Sequence, residues 1–595
     1  MRRVEKAFLA LLLNGSLVLG QNPDGTRAST NKSELSAPSV SSRLEQMEKA
    51  IHAQQQQISQ LQDQLKSRDS QVQQLQEQLI QTQGSIIQAR QDTRAAAAEA
   101  VPAQLDDVKH DVADLRSAVT NSALALQETQ KSVKDLESPY ALHFKGITLM
   151  PGGFIAAETV YRNRALGADI STPFNGLNMP GSGQNALSEF YGSGRQSRIS
   201  LLGEGKMKEV KITGYYEADF LSAAVTSNNN ESNSYSMRQR QLWGQAAFNN
   251  GISIIGGQMW SLVTETKKGV DNRTEALPMA IDAQYSVGFS WARQYGFRVA
   301  KDFNHHIWLA ASLENPATTF AVRGNASNFA FGGPGNAGGL YNSTANYSFN
   351  ATPDFIVKTV FEPGFGHYEV FGIFSRFRDR VYPCEEPPAD PTLCSGGVSS
   401  TQSAYNSSRN GGGVGANARV TLFKQIDFGL HGLMGNGVGR YGSAGLPDAT
   451  VNADGTLALL RSYQGLATLE WHTPRIDVYM NGGEEYIGRR WQTDMVSNKP
   501  VGYGSPLFNT SGCYAETFPG SNGFAFGGLS NCNADTQSVI EGTFGFWIKV
   551  YNGSRGRLQF GPQYSYVSRN AWASESGSPH GIDNMVFTSF RYYLP

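Results

Sequence analysis

Arginines spaced for an extended chain are the residues most able to do chemistry in this sequence of 595 residues. Arg238 and Arg240 are two positions apart, so both fall on one face of a strand. Guanidinium groups held close together in a confined space of low dielectric attract anions. The sequence therefore singles out five candidate anion-attracting residues: Arg198, Arg238, Arg240, Arg293 and Arg376.

Motifs for catalysis are missing. The sequence has no GxSxG, HExxH, Walker or GxGxxG motif in the context that those motifs require. The pair His305-His306 has no third ligand nearby, and His431 and His472 have no assignable serine partner. The formal net charge of −1 gives no general attraction to nucleic acid. We expect no enzyme activity, no cofactor, no metal site and no nucleic-acid partner.

Four cysteines occur as two close pairs, Cys384 with Cys394 and Cys513 with Cys532. In an exported chain an even number of cysteines indicates disulfides, and each predicted bond closes one loop. Zinc is the alternative, but there is no CxxC spacing and no flanking histidine cluster.

Export is indicated by the first 20 residues. Arg2, Arg3 and Lys6 precede an apolar core at 7–19, and small residues allow cleavage before Gln21. This is the pattern of a secretory signal peptide, although an N-terminal anchor is the alternative. Residues 21–42 are polar and predict a flexible linker.

Residues 43–138 show the heptad pattern of an α-helical coiled coil. Every second d position from 54 to 82 is polar, which is typical of layers that fix register and chain number. The pattern is broken near 91–103, where Pro102 ends the helix, and a second heptad series follows. The alternative is a disordered glutamine-rich tract. The predicted oligomerisation residues are the apolar a positions Leu44, Ile51, Ile58, Leu65, Val72, Leu79 and Ile86.

From residue 140 onward the hydrophobic period changes to two, which predicts β-strands. Near the C-terminus, Ile540, Phe544 and Ile548 share one face of a long segment, and Glu541 and Thr543 share the other. Such segments exceed ten residues, whereas strands of soluble sandwiches have about five or six and transmembrane strands about 9–11. We therefore predict membrane-crossing strands.

Short turns alternate with long loops along 140–595. Seven short turns and eight long Gly/Asn/Ser-rich loops predict an all-β transmembrane barrel of about 16 antiparallel strands. Both ends of the barrel then lie on the short-turn side, and a barrel of this size encloses an aqueous channel. The charged loop at 263–285 is expected to fold inward as a constriction.

Several stretches resemble the DcaP-like trimeric outer-membrane porins, which join a periplasmic coiled coil to a sixteen-stranded barrel. The resemblance covers most of 43–595 and rests on these sequences: "GRQSRISLLGEG" at 194–205, "YSMRQRQLWGQAAF" at 235–248, "IIGGQMWSL" at 254–262, "WLAASLENP" at 308–316 and "GLMGNGVGRYG" at 432–442. It implies a homotrimer in the bacterial outer membrane, passive diffusion of small hydrophilic solutes, and a preference for small anionic solutes. Its partners would be membrane lipids, and peptidoglycan or a periplasmic protein for the coil.

The arginines have different expected directions. Arg198 is opposite in parity to Ile199 and is predicted to face the lumen. Arg238 and Arg240 match the family's paired arginines, but their parity also matches Leu242, which leaves their direction open. Arg293 and Arg298 differ in parity, so at most one should face inward; the alternative for every arginine is a place at the membrane rim.

A second function class stays open, a trimeric surface adhesin or structural envelope tether with the coil as its stalk. Adhesins of that type place a long stalk before a short C-terminal barrel. In this chain the predicted barrel takes up most of the sequence, which favours the channel.

Overall fold

The computed structural model describes residues 141–222, 235–324, 328–334, 346–385, 394, 398–516 and 532–595. These residues belong to the second of two compact units, Lys131–Pro595. The predicted signal peptide, linker and coiled coil, with its seven a positions, lie outside the described residues. In the part of the chain that is described, no helix is long and apolar enough to cross a membrane.

Sixteen antiparallel strands form the wall of a barrel. Strand β2 is interrupted once, and the others are continuous. The strands are β1 (Ile147–Arg162), β2 (Glu189–Ser193 and Arg198–Met207), β3 (Val210–Asp219), β4 (Arg238–Phe248), β5 (Ile252–Trp260), β6 (Arg293–Phe303), β7 (Ile307–Glu314), β8 (Asp354–Phe361), β9 (His367–Val381), β10 (Tyr405–Leu422), β11 (Ile426–Asn436), β12 (Arg461–His472), β13 (Ile476–Ile487), β14 (Thr536–Gly553), β15 (Gly556–Ala571) and β16 (His580–Tyr593).

The barrel is closed by the pairing of its first and last strands. Phe154 of β1 lies opposite Tyr593 of β16, and the same residue lies opposite Arg198 of β2 on its other side. A short strand, Leu142–Phe144, pairs with the beginning of β1 below this seam. Closure satisfies backbone groups that an open edge would leave unpaired, and the predicted sixteen-stranded barrel is confirmed.

Side chains alternate between an apolar outer face and a packed interior. On β9, Val370 and Phe374 are 64% and 50% exposed, whereas the intervening Phe371 and Ile373 are buried. The same alternation places Leu309 and Leu313 of β7 outside. An apolar exterior all around a closed barrel is the pattern of strands that face lipid.

Connections differ at the two ends of the barrel. One end has seven turns of two to five residues, and Phe423 and Lys424 in one of them adopt φ of 52° and 61°, as mirror-image hairpin turns require. The other end has eight longer loops, which we name L1 (163–188), L2 (220–237), L3 (261–292), L4 (315–353), L5 (382–404), L6 (437–460), L7 (488–535) and L8 (572–579).

The loops carry small elements of their own. Among the described loop residues, four 3₁₀ turns lie in L1, L6 and L7: Phe174–Gly176, Gly183–Ala186, Gly439–Tyr441 and Ser511–Cys513. Two-stranded pairs and one short added strand lie in L4, L6 and L7: Phe329–Ala330, which pairs with β9, Gly332–Pro334 with Asn346–Ser348, Ala449–Val451 with Leu457–Leu459, and Arg490–Thr493 with Pro500–Tyr503.

A hydrophobic core lies inside the barrel because several loops fold into it. Ile170 of L1, Ile281 of L3, Leu446 of L6 and Tyr503 of L7 belong to one buried cluster, which also contains Trp547 of β14. Burial of such side chains typically contributes about 1.5–3 kcal/mol each. The loops are therefore part of the folded core of the barrel.

Both predicted disulfides are confirmed. Cys384–Cys394 closes part of L5, and Cys513–Cys532 closes part of L7. Cys513 is buried against Met179 of L1, so the second bond lies where L7 packs on L1.

Candidate constriction in the barrel lumen

Loop L3 runs down one wall of the lumen toward the short-turn end. The backbone N–H and hydroxyl of Thr266 donate to Glu369 Oε1 on β9 at 3.0 and 2.6 Å. Further along, the N–H of Gly269 donates to Glu362, which lies in the short turn after β8. A loop buried in a lumen needs acceptors for its backbone N–H groups, and inward carboxylates supply them here.

The second half of L3 reaches strands that lie across the barrel from β5 and β6, the two strands that L3 connects. The N–H groups of Ile281, Val287 and Gly288 donate to Gln563, Glu541 and Glu485, on β15, β14 and β13, at 2.5, 2.8 and 2.9 Å. Gly288 has φ of +86°, and a Cβ there would lie 2.1 Å from the carbonyl oxygen of Gly465, so only glycine fits. The loop therefore crosses the lumen, so 263–285 does fold inward, and its role as a constriction stays a prediction.

An ion-paired arginine group lies beside the start of L3. Arg240 Nε is 2.7 Å from Glu217 Oε1, and its Nη1 is 2.7 Å from Asp219 Oδ2. Arg238 contacts both oxygens of Asp219 at 2.9 Å, which is a bidentate pair. Arg240 is buried, but the Arg238 side chain keeps 33% exposure.

A β-bulge explains why both arginines point inward. Glu217 pairs with Gln241 and Ala218 pairs with Gln239, so Arg240 is an extra residue in β4. An extra residue changes the parity of the strand at that point and can re-aim a side chain. Leu242 accordingly lies outside while Arg238 and Arg240 face the lumen. The bulge thus explains why residues of the same parity in the sequence point in opposite directions.

Two further predicted arginines join this group. Arg198 Nη1 is 3.6 Å from Glu217 Oε2. Arg293 stacks over Trp260 at 4.8 Å and lies within electrostatic range of Arg198, Arg238 and Arg240. Arg293 is the first residue of β6 and directly follows L3. Its side-chain direction is therefore not fixed by the alternation of the strand.

The lumen arginine group, defined as Arg198, Arg238, Arg240 and Arg293, has an excess of positive charge. Three of its guanidinium groups pair with the two carboxylates of Glu217 and Asp219, and the fourth, that of Arg293, stacks over Trp260. Burial raises the pKa of the Tyr285 phenol in L3, but the nearby arginines, Arg240 first, hold that pKa below its usual range. The local field is therefore positive.

Arg376 is not part of the group. It is exposed on β9 and shares parity with the outward-facing Phe374, whereas Phe377 beside it is buried in the interior. We therefore place Arg376 on the outer face and do not retain it among the lumen residues. In contrast, Arg298 faces inward beside Asn272, with Nη1 at 2.8 Å from Oδ1, so the expectation that at most one of Arg293 and Arg298 faces inward is wrong.

Sequence reasoning missed an ionic group on the wall that carries the descending half of L3, centred on the fully buried pair of Lys358 and Glu369. Lys358 Nζ donates to Glu369 Oε2 and to the Thr264 carbonyl, both at 2.8 Å. His367 bridges Glu362 and Glu369 at 2.8 and 2.9 Å. A lysine in the apolar run "FIVKTVF" (355–361), in phase with the inward Ile356 and Val360, was the available signal.

Replacing Lys358 with methionine should destabilise the barrel by about 3–5 kcal/mol, because the Glu369 carboxylate loses its buried partner. Denaturant unfolding monitored by tryptophan fluorescence should show this reduction in the free energy of unfolding. The double variant Lys358→Met with Glu369→Gln removes both charges and should recover part of the loss. Equal stability of the single variant and the parent would contradict this role for Lys358.

Comparisons with known proteins show a likeness in fold. No protein-family model and no curated protein matches the chain. The solved structure of the outer membrane channel DcaP of Acinetobacter baumannii is similar with a TM-score of 0.50 and 13% identity, over 76% of this chain and 99% of that one.

Two other barrels superpose less well. OmpF of Salmonella typhi, in complex with daunomycin, gives a TM-score of 0.40 with 8% identity over 76% of this chain and 100% of that one. The anion-selective porin from Comamonas acidovorans gives 0.37 with 9% identity over 75% and 100%. The resemblance in fold to the DcaP channel is confirmed: the described part of the chain is a sixteen-stranded barrel of the porin type.

Proposed function

We propose that the protein is an outer-membrane porin, a passive diffusion channel for small hydrophilic solutes that prefers anions. The observation that carries the proposal is the lumen arginine group beside a loop that crosses the barrel. The location of the protein, the class of solute that it passes and its oligomeric state are parts of the same proposal.

Placement in the outer membrane follows from the barrel itself. Sixteen strands with an apolar exterior suit a bilayer, and loop-rich and turn-rich ends suit its two sides. Both ends of the described unit lie at the turn-rich end, since β1 begins and β16 ends there. We assign that end to the periplasm and L1–L8 to the cell exterior.

Anion preference follows from the charges that water can reach. Arg238 and Arg198 remain 33% and 15% exposed, whereas Asp219 and Glu217 are 0% and 8% exposed. A permeating ion therefore meets the guanidinium groups and not the carboxylates that hold them. At about 4 Å a unit charge contributes about 1 kcal/mol even in a water-like dielectric, or roughly a fivefold enrichment of anions.

Planar-bilayer recordings test this function. Purified protein in a tenfold KCl gradient should conduct, with a reversal potential of the sign given by chloride. Single-channel conductance with a panel of anions and cations then ranks the solutes. Absence of conductance would refute the channel, whereas conductance with a potassium-type reversal potential would refute only the anion preference.

We further infer that the protein is a homotrimer held by the heptads of 43–138 in the periplasm. Its apolar a positions favour an oligomerisation element, and its polar d layers favour one register. Peptidoglycan and a periplasmic protein are both open as partners of the coil. Deletion of 43–138 should lower the temperature at which SDS-resistant trimers dissociate and leave the conductance per barrel unchanged; trimers of equal stability would contradict this inference.

A further inference from the structure

A histidine and three carboxylates meet inside the lumen at its turn-rich end. Asp427 begins β11, Glu470 and His472 end β12, and Asp477 begins β13. Each lies in phase with inward residues of its strand, and Glu470 is 1% exposed. Three adjacent strands thus bring nitrogen and oxygen donors to one point that the lumen arginine group does not use.

The spacing of the donor atoms matches that of ligands to one metal ion. His472 Nε2 is 3.5 Å from Asp427 Oδ2 and 3.3 Å from Glu470 Oε2. One ligand atom from each of the three residues lies within 4.8 Å of the others. Two ligands bound to Zn²⁺ at about 2.0–2.1 Å in tetrahedral geometry are themselves about 3.3 Å apart.

The other ring nitrogen is oriented by a fourth residue. His472 Nδ1 lies 3.2 Å from Asp477 Oδ1, and Lys549 Nζ holds the same oxygen at 2.7 Å. If Nδ1–H donates a hydrogen bond to Asp477, Nε2 is the ring nitrogen on the side of Asp427 and Glu470 that a metal ion would use. A carboxylate behind a ligating histidine is the usual outer-shell support of such a site.

The remaining contacts leave one oxygen of each carboxylate facing the histidine. Glu470 Oε1 accepts the Met279 N–H of L3 at 3.3 Å, and Asp427 Oδ1 accepts the Thr421 hydroxyl at 2.6 Å. The nearby Arg419 is paired with Glu265 at 2.9 Å. Oδ2 of Asp427 and Oε2 of Glu470 are therefore the oxygens directed at Nε2.

We propose that Asp427, Glu470 and His472 bind one divalent transition-metal ion of the Zn²⁺ class at the periplasmic mouth of the lumen. An imidazole with two carboxylates favours such ions over Mg²⁺ and Ca²⁺, which prefer all-oxygen sites. His472 is 36% exposed, so the ion keeps a position open to water. The bound ion adds two positive charges where Asp427 and Glu470 supply two negative ones.

Calorimetric titration of untagged, chelator-treated full-length protein with ZnCl₂ tests the site. The parent should bind one Zn²⁺ per chain with an affinity that excess MgCl₂ or CaCl₂ does not reduce. His472→Ala should abolish this binding, and Asp477→Asn should weaken it about 10- to 100-fold, because it removes only the outer-shell partner. Heat-modifiable gel mobility confirms that each variant is a folded barrel.

His305→Ala is the matched control. His305 lies in a short turn at the same end of the barrel, with Nδ1 at 2.5 Å from Asp302 Oδ2, but it is 83% exposed and has one acidic partner. This variant should bind zinc like the parent. Lack of stoichiometric binding by the parent, or binding that survives His472→Ala, would overturn the proposal and leave His472 as a cation paired with its carboxylates.

Discussion

Replacing Arg238 with glutamine should reduce the anion-to-cation permeability ratio by roughly fivefold, in line with about 1 kcal/mol for a unit charge near the ion path. Arg238 is the most exposed ion-paired member of the lumen arginine group, and Asp219 keeps Arg240 as its partner after the change. The excess positive charge of the group falls by half, but the ion pair in the wall survives. The reversal potential in a tenfold KCl gradient measures the effect.

The matched control is Arg376→Gln. It removes the same charge from the outer face of β9, where Arg376 shares parity with Phe374. The reversal potential of this variant should equal that of the parent. If Arg376→Gln changed selectivity and Arg238→Gln did not, the ion path would not pass the lumen arginine group.

Replacing 264–288 of L3 with a short glycine linker should raise single-channel conductance severalfold. This segment crosses from β9 to β13–β15 and occupies a lumen that sixteen strands would otherwise leave wide. Carboxylates that accept from L3, such as Glu541, would then face water, which replaces the lost hydrogen bonds. Conductance in symmetrical KCl gives the readout.

Shortening the exposed tip of L8, 575–578, is the control for loop removal. This tip is exposed at the loop-rich end. Its removal should leave conductance unchanged, and heat-modifiable mobility should show a folded barrel for both deletions. An unchanged conductance after the L3 deletion would locate the narrowest part of the channel in another loop.

The barrel wall was largely predictable from the sequence because strand alternation is a local property. In β14, Ile540, Phe544 and Ile548 are exposed on the outside, and Glu541 and Thr543 are buried inside, as their period of two predicted. The positions of the short turns and long loops were predictable from local composition in the same way. The coiled coil rests on an equally local pattern and stays a prediction.

Side-chain directions at the site were less predictable because they depend on pairing between distant segments. The bulge at Arg240 is defined by its partners Glu217 and Ala218 in another strand, and the alternation within β4 does not contain it. Arg376 was a candidate anion-attracting residue, but its direction depends on the phase of β9, in which Phe374 faces outward and Phe377 inward. The path of L3 depends on acceptors as distant as Glu541, which no local pattern reveals.

The crossing of the lumen by L3 also has a mechanical consequence. The closed strand ladder fixes the number of strands around the barrel, and contacts across the lumen add a second constraint on its cross-section. L3 ties β9 to β13–β15 through hydrogen bonds to carboxylates, each worth about 1.5–3 kcal/mol. Gly288 also brings its backbone against Gly465 of β12. The loop thus acts as an internal brace between strands on different sides of the lumen.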